Sequence, residues 1–293
     1  MVAVPERRHV HYHRSMPRLR AGSTPWIVTV VVLVFGTGAV SVAQRFGVIE
    51  GAGAGIRVPP RDFNDGEFTV CKWMFRSDRS EPSGVGWSTD YPFGEINLLI
   101  RLSELTMVRV SRDRRGDVNY WVVRATDEQL FNCPILIGSD VGTAALSNAE
   151  VQRLREYLLK GGFLWVDDFW GTPAWNHWTS QIARVLPEFP IVDVAPEDSL
   201  RQALFPIAEV KQVPSIFSWG GPGSDPRERG NDSPHANFRA IADGHGRVMV
   251  AMTHNTDIGD SMEREGENPD YFAEYSPSGY ALAANIVLYA LTH

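Results

Sequence analysis

The sequence predicts an α/β protein with a mostly parallel sheet that is covered by helices on both faces. Short runs rich in β-branched and aromatic residues alternate along the chain with segments of helical periodicity. Two of these runs, within residues 162–169 and 247–253, are continuously apolar rather than apolar at every second position. Continuous apolar runs are typical of strands buried on both faces, which is the environment of a parallel sheet.

The first elements are a strand, a helix and two shorter strands. Residues 68–75 (FTVCKWMF) predict the first strand. Beyond residues 90–92 (DYP), apolar residues recur at helical spacing as far as Leu105, and the proline lies near the first turn, where helices tolerate it. Residues 107–110 and 120–123 predict the two short strands.

The middle of the chain contains the clearest local signal. Residues 134–138 (PILIG) predict a buried strand. Ser147 and Glu150 then form a capping-box pattern, and the apolar stripe that follows ends at Gly161-Gly162, so a helix is expected between them. Residues 162–169 (GFLWVDDF) predict a buried strand whose end carries two carboxylates.

The remaining elements have weaker patterns. We expect helices at 175–186 and 199–205, extended segments at 191–194 and 209–213, and a buried strand at 247–253. Ser276 and Pro277 are predicted to open the last helix, which runs through Leu291.

Composition and charge exclude several classes of protein. The chain has 293 residues, 43% of them hydrophobic, and a net charge of −7. A chain this long and apolar buries a real core, which excludes wholesale disorder. Residues 1–25 carry five arginines and one glutamate, so the rest of the chain has a net charge of −11. Such an acidic body has no basic surface for phosphate backbones, and we predict no nucleic-acid partner.

The amino-terminal region predicts export. Residues 26–43 carry no charge and are long enough to cross a bilayer, so we predict a transmembrane anchor there. The alternative is a secretory signal cleaved after Ala43, because residues 41–43 (SVA) are small-x-small. The basic residues before the span place residues 1–25 in the cytoplasm and the rest outside it. Residues 44–66 read as a flexible linker, and residues 67–293 as the α/β domain.

The two cysteines leave two interpretations open. Cys71 and Cys133 either form one disulfide in an oxidising compartment or are small buried residues on strands. The sequence has no Cys-x-x-Cys pair or Cys/His cluster, so a thiolate zinc site is excluded.

The candidate site lies where the strands end. In an open α/β sheet, ligands bind outside the carboxyl ends of the strands. The candidate catalytic residues at these ends are Asp167, Asp168 and His254. The candidate ligand-binding residues are Asp90, Tyr91, Asp140, Trp170, Asn255 and Asp257.

Two kinds of chemistry fit these residues. If Asp140, His254 and one of Asp167 and Asp168 meet, they suit a divalent metal or an acid/base pair. Carboxylates at strand ends also commonly cap helices, so a purely structural role stays open. No motif implies any other cofactor. The acidic stretch 257–274 is interpreted as a solvated lid.

Several motifs resemble a known bacterial family. They are residues 160–171 (KGGFLWVDDFWG), Tyr91-Pro92 with Asn97 and Arg101, 254–259 with 263–266, and 276–280 through 292–293. Together they are similar to the family called domain of unknown function 4159 over residues 67–293. The resemblance implies a flavodoxin-like sheet related to class I glutamine amidotransferase-like and trehalose-utilisation-like proteins. It also implies protein partners in a membrane-associated complex, since ATPase-like and von Willebrand factor A-like components accompany such proteins.

The resemblance does not bring the amidotransferase reaction. Those enzymes hold a cysteine nucleophile at the turn where this sequence has Asp167 and Asp168, and no Gly-x-Ser-x-Gly motif replaces it. We therefore expect a membrane-anchored, extracytoplasmic domain that binds a ligand or a protein partner at the strand ends. The alternative is a hydrolase that uses Asp167, Asp168 and His254, with or without a divalent metal, on a sugar or envelope-derived substrate.

Overall fold

A computed structural model describes residues 55–293, and seven strands of this part form a single sheet. In chain order the strands are β1 (Val70–Trp73), β2 (Tyr120–Val123), β3 (Leu136–Ser139), β4 (Leu164–Asp167), β5 (Ile191–Asp193), β6 (Asn237–Ala242) and β7 (Val248–His254). Their order across the sheet is β2-β1-β3-β4-β7-β6-β5.

The sheet is mostly parallel, as predicted. Strands β2, β1, β3, β4 and β7 run in the same direction, with Leu136 opposite Leu164 and Leu164 opposite Val250. Strand β6 is antiparallel to β7, and β5 is antiparallel to β6. The parallel part therefore brings the carboxyl ends of five strands to one edge of the sheet.

Helices cover both faces of the sheet. They are α1 (Phe93–Leu105), α2 (Asn148–Leu159), α3 (Gly171–Val185), α4 (Ser199–Gln202), α5 (Ile258–Glu263) and α6 (Pro269–Thr292). Apolar side chains of α1, α4, α5 and α6 pack into the core on one face, and those of α2 and α3 pack into the core on the other. The side chains of β4 alternate between the two cores, with Trp165 in the first and Leu164 and Val166 in the second.

The predicted helix starts are confirmed at two places. Helix α1 begins at Phe93, directly after Pro92. At α2 the capping box is present in both directions, because Ser147 Oγ accepts from the Glu150 N–H at 3.3 Å and Glu150 Oε2 accepts from the Ser147 N–H at 2.8 Å.

Two expected extended segments are not strands of the sheet, and one strand was missed. Residues 107–110 form no strand and contribute only a bridge between Phe68 and Val110. Residues 209–213 are not part of the sheet. Strand β6 (NFRAIA) was missed because one face of this antiparallel strand is only half-buried and carries polar residues, which removes the continuous apolar signal.

The last helix begins earlier than predicted. Asn268 Oδ1 accepts from the N–H groups of Asp270 and Tyr271 at 2.9 and 3.2 Å, so α6 begins at Pro269. Pro277 therefore lies inside the helix, at an exposed position where the carbonyl that it leaves unbonded faces water. The buried rings of Tyr271 and Tyr275 extend the packed face towards the helix start.

The end of the predicted linker packs on the domain. The Arg57 carbonyl accepts from the Val122 N–H at 2.8 Å, and its guanidinium donates to Val118 O at 3.2 Å. Phe63 is buried and lies against Trp121. The predicted anchor at residues 26–43 lies outside the described residues. Among residues 55–293, no helix combines the length and the apolar character needed to cross a membrane.

Candidate functional site

The candidate site lies at the carboxyl ends of the parallel strands, where the backbone repeats one unusual feature. Three neighbouring strands, β3, β4 and β7, are each followed at once by an Asp or Asn in the left-handed region: Asp140 (φ 52°), Asp168 (φ 53°) and Asn255 (φ 61°). Asp90, before α1, has φ 66°. Asp and Asn tolerate this conformation better than other non-glycine residues, and such strain concentrates at functional sites.

Three carboxylates from different parts of the chain meet at this edge. Asp90, Asp168 and Asp257 each place one oxygen within 4.8 Å of the others, and we call them the carboxylate triad. Their exposed fractions are only 6%, 8% and 2%. Three negative charges out of water and this close together are unstable unless protons or a cation compensate them.

In each triad carboxylate, one of the two oxygens accepts a hydrogen bond from another residue of the protein. Asp168 Oδ1 accepts from the Trp170 indole N–H at 2.9 Å. Asp257 Oδ1 accepts from the Asp260 N–H at 2.7 Å and so caps α5. Asp90 Oδ2 accepts from the Ser139 hydroxyl at 2.7 Å. The triad is therefore oriented by the protein around it, and one oxygen of each carboxylate is left for another ligand.

The second oxygen of Asp90 is an anomaly. Asp90 Oδ1 is buried and has no hydrogen-bond partner within residues 55–293. Leaving a charged oxygen buried and unpaired costs at least about 1–3 kcal/mol, and native proteins rarely accept this cost without a reason. Binding of a ligand by this oxygen would be one such reason.

A second group of acids shares Asp90 but is already compensated. Asp90 also lies close to Asp260 and Glu263, whose carboxylates pair with Arg264 Nε at 3.2 and 3.0 Å. Asp260 Oδ2 accepts in addition from the Ile216 N–H at 2.6 Å. An arginine thus supplies the positive charge in the second group, whereas the triad makes no ion pair to Lys or Arg in the described part of the chain.

The electrostatics of the whole edge follow from burial. Burial, reinforced by the charges of Asp90 and Glu228, raises the pKa of Asp168 well above its usual range. Burial and the charge of Asp168 do the same for Asp257. Burial raises the pKa of Asp260 to about 6 and that of Glu263 to about 9. Without a cation, this edge of the sheet retains protons at neutral pH.

Beneath the triad lies a buried ion pair. Lys72 points from the middle of β1 into the core, and its Nζ contacts Glu95 Oε1 at 3.0 Å, Thr89 O at 2.8 Å and Ser139 Oγ at 2.8 Å. Both charged side chains are almost completely buried. Sequence reasoning missed this pair, although a lysine inside the run FTVCKWMF was a usable signal, since a lysine in a buried strand needs a partner.

Two of the predicted catalytic residues have other contacts. Asp167 accepts from Thr253 Oγ1 and from the Gly259 N–H, so it ties β4 to β7 and to the start of α5. The His254 ring packs against Phe169 and Trp175, and its Nε2 is 3.2 Å from Gly171 O. Burial lowers the pKa of His254 to about 4, which keeps the ring neutral at physiological pH. A catalytic role for these two residues stays a prediction.

The remaining predicted residues have contacts of their own. Asp140 Oδ2 accepts from the Gly86 N–H at 2.8 Å, and its Oδ1 is buried without a partner. Asn255 Oδ1 accepts from the Gly171 N–H at 2.8 Å. Tyr91 packs against Trp87 and Tyr120. Of the set predicted for a metal, only Asp168 belongs to the triad, while Asp90 and Asp257 were predicted as ligand-binding residues.

The interpretation of residues 257–274 as a solvated lid is wrong for its first part. Asp257 and Asp260 are buried, and residues 258–263 form α5 against α1 and α6. Only the stretch from Gly266 to Asp270 is largely exposed. Sequence composition alone does not separate a solvated acidic loop from acids that are gathered into a site.

A family model matches most of the chain. The model of a family described as domain of unknown function (DUF4159) matches residues 79–291. This range includes every member of the triad and of the second acidic group. A search of the curated proteins finds no sequence that matches the chain.

Proposed function

The chain belongs to the DUF4159 family, and from the geometry of its strand-end site we propose that it binds a divalent cation at Asp90, Asp168 and Asp257. The cation in turn holds an oxygen-rich ligand, and the domain acts as a membrane-tethered binding module outside the cytoplasm. The observation that carries the proposal is the buried Asp90 Oδ1, which has no hydrogen-bond partner in residues 55–293 although it lies beside two other carboxylates.

The chemistry of the donor set supports a hard divalent cation. Carboxylate oxygens are the ligands that Mg²⁺, Mn²⁺ and Ca²⁺ prefer, and no cysteine or histidine belongs to the triad. Three carboxylates leave coordination positions open on any of these cations. Water or an oxygen-rich ligand takes the open positions, and the cation thereby binds the ligand to the protein.

The strand order supports the finer fold assignment as part of the proposal. Numbered along the chain, the five parallel strands have the order 2-1-3-4-5, which is the order of flavodoxin-like folds. In such folds ligands bind where the order reverses, between the first and third strands. Asp90 follows β1 and is hydrogen-bonded to Ser139 at the end of β3, which supports a binding site at this position, with Asp168 and Asp257 contributed from beyond β4 and β7. We accordingly propose that the domain is related in fold to the class I glutamine amidotransferase-like group.

The disulfide supports the proposed location. Cys71 and Cys133 are joined, with their Cα atoms 5.8 Å apart, and both are buried. Stable disulfides persist in oxidising compartments and are rare in the cytosol. This pairing agrees with the proposal that residues 26–43 anchor the chain and that the domain is exported. A reporter fused after His293 that is active only in the cytoplasm would contradict the proposed location.

Calorimetric titration tests the cation site. The full chain in detergent, freed of metals with a chelator, is titrated with MnCl₂ and compared with the variants Asp168→Asn and Asp257→Asn. We expect one bound cation and a loss of affinity of about tenfold or more in each variant, because ligand charge sets cation affinity. Asp62→Asn removes an exposed carboxylate outside the site and serves as the matched control. Absence of binding by the unsubstituted chain, or equal affinity in all variants, would contradict the proposal.

A further inference from the structure

We infer that the site selects small divalent cations, Mn²⁺ and Mg²⁺, over Ca²⁺, and that Ser139 and Lys72 determine this selectivity by orienting Asp90. The inference rests on the proposed cation site and adds the identity of the cation. It depends on how the carboxylates are held, and not on how many there are.

The first step is that each triad carboxylate is restricted to one free oxygen. In each carboxylate one oxygen accepts a hydrogen bond from the protein. Asp168 Oδ1 accepts from the Trp170 indole N–H, and Asp257 Oδ1 accepts from the Asp260 N–H. Asp90 Oδ2 accepts from the Ser139 hydroxyl. A carboxylate with one oxygen engaged by the protein offers the other to a cation and binds it through a single oxygen. The site therefore supplies three single-oxygen ligands.

The second step is that Lys72 orients the Ser139 hydroxyl that donates to Asp90. The Ser139 hydroxyl accepts from Lys72 Nζ at 2.8 Å, so its own proton is directed to Asp90 Oδ2. Lys72 cannot turn away, because its other two donors go to Glu95 Oε1 and Thr89 O. The chain of contacts from Lys72 through Ser139 to Asp90 thus decides which oxygen of Asp90 is left for the cation, and that oxygen is the unpartnered Oδ1.

The third step is that the Asp90 side chain lies in close contact with two glycines. A Cβ at Gly259 would lie 2.2 Å from Asp90 Oδ2, and a Cβ at Gly94 would lie 3.2 Å from Asp90 Cβ. The Gly259 backbone therefore lies close to the carboxylate and the Gly94 backbone close to the Asp90 Cβ, so a side chain at either position would crowd Asp90. Packing and hydrogen bonding hold it in the same orientation.

The consequence for selectivity comes from coordination preferences. Ca²⁺ takes about 6–8 oxygens and is commonly bound by carboxylates through both oxygens, whereas Mg²⁺ takes about six in a regular octahedron and retains waters. Three single-oxygen carboxylates suit the octahedral cation and leave Ca²⁺ short of ligands. If Asp90 could turn and offer both oxygens, the balance would move towards Ca²⁺.

The test is the ratio of affinities for Mn²⁺ and Ca²⁺, measured by calorimetry on the full chain in detergent. We expect the unsubstituted chain to bind Mn²⁺ more tightly, by about tenfold or more. Ser139→Ala should reduce this ratio about tenfold, the size of effect seen when residues that orient metal ligands are removed. Ser139→Thr keeps the hydroxyl and should restore the ratio, and Ser180→Ala, an exposed serine on α3, should leave it unchanged.

The outcomes separate this inference from the proposed function. If the unsubstituted chain binds both cations equally, or prefers Ca²⁺, the selectivity inference is overturned while the cation site stands. The same holds if Ser139→Ala binds with an unchanged ratio. If the unsubstituted chain binds neither cation, the proposed function itself fails. A variant that is only less stable would lose affinity for both cations together, so a change in the ratio of the Mn²⁺ and Ca²⁺ affinities reports a change in the orientation of Asp90. If a variant does not fold, the ratio measured for the unsubstituted chain still tests the inference.

Discussion

Lys72 and Glu95 form an ion pair of 3.0 Å in the interior of the domain, where both side chains are at most 3% exposed. Lys72 lies on a central strand of the sheet and Glu95 in the first turn of α1. A pair in this position links β1 to the helix that follows Asp90. Each charge is stabilised mainly by the other, because both side chains are buried and water cannot solvate either charge if its partner is removed.

Removing one partner of this pair should cost far more than removing both. We expect Lys72→Met to lower the free energy of unfolding by about 3–5 kcal/mol, since it leaves the Glu95 carboxylate buried without a cation. Lys72→Met combined with Glu95→Met should cost less, because no charge is then left uncompensated. Urea unfolding followed by tryptophan fluorescence measures both values. A double variant that is less stable than the single one would refute this account.

The disulfide should contribute substantially to stability. It closes a loop with a sequence separation of 62 residues, and the chain-entropy relation gives about 4 kcal/mol for a loop of that size. We expect the Cys71→Ala/Cys133→Ala variant to unfold at a lower urea concentration than the oxidised chain. The reduced, unsubstituted chain is the control, and it should resemble the variant. Equal midpoints for the oxidised chain and the variant would contradict the prediction.

Stability in the absence of metal should fall as the pH rises from 6.5 to 9. Burial raises the pKa of Asp167 to about 7 and that of Glu263 to about 9, so the folded state holds protons that the unfolded state has released. Where the folded state binds more protons than the unfolded state, the free energy of unfolding decreases with pH. His254, with its pKa lowered to about 4, acts in the opposite direction near pH 6.5, where the unfolded imidazole is still partly protonated, and contributes little from about pH 7.5 upwards.

Urea unfolding in a chelating buffer at several pH values measures this slope. A saturating concentration of Mn²⁺ should reduce it, because a bound cation stabilises the ionised carboxylates. The variant Asp167→Asn should also reduce it, by removing one of the groups that titrate in this range. Stability that rises between pH 6.5 and 9 would contradict the pKa directions on which the prediction rests.

A methyl group at Gly259 should disturb the cation site. The added Cβ would lie 2.2 Å from Asp90 Oδ2, so Gly259→Ala forces the carboxylate out of its present position. We expect Mn²⁺ affinity to fall about tenfold or more, as it does when the groups around metal ligands are disturbed. Gly266→Ala is the matched control, since a Cβ at that nearby, exposed glycine meets nothing within 4 Å. Equal losses in both variants would show that the effect is not local to Asp90.

Local sequence patterns were sufficient to predict an element where its burial is uniform or its end is capped by neighbouring residues. The continuous apolar runs of β4 and β7 and the capping box of α2 predicted those elements, because each signal comes from neighbouring residues. The same reasoning missed β6, whose half-buried face carries polar residues, and placed the start of α6 too late, at a proline that the helix accommodates on its exposed side.

The candidate site was predicted in part. Placing carboxylates at strand ends located Asp90, Asp168 and Asp257 at one edge of a parallel sheet, which needs only the alternation of strands and helices. It did not separate them from Asp167 and His254, which are the last residues of β4 and β7 and contact other partners. The direction of a side chain at a strand end depends on the local φ, and Asp168 differs from Asp167 in that respect.

By itself, the sequence determined the α/β class, the mostly parallel sheet and the gathering of acids at the strand ends, because these depend on periodicity and composition. Only the tertiary structure decided which acids meet and that, within residues 55–293, Arg264 pairs with one acidic group while the triad has no ion pair. It also decided that Lys72 and Ser139 orient Asp90. The physical reason is that these contacts join residues far apart in the chain. Strand order and register set their distances, and no local pattern encodes either.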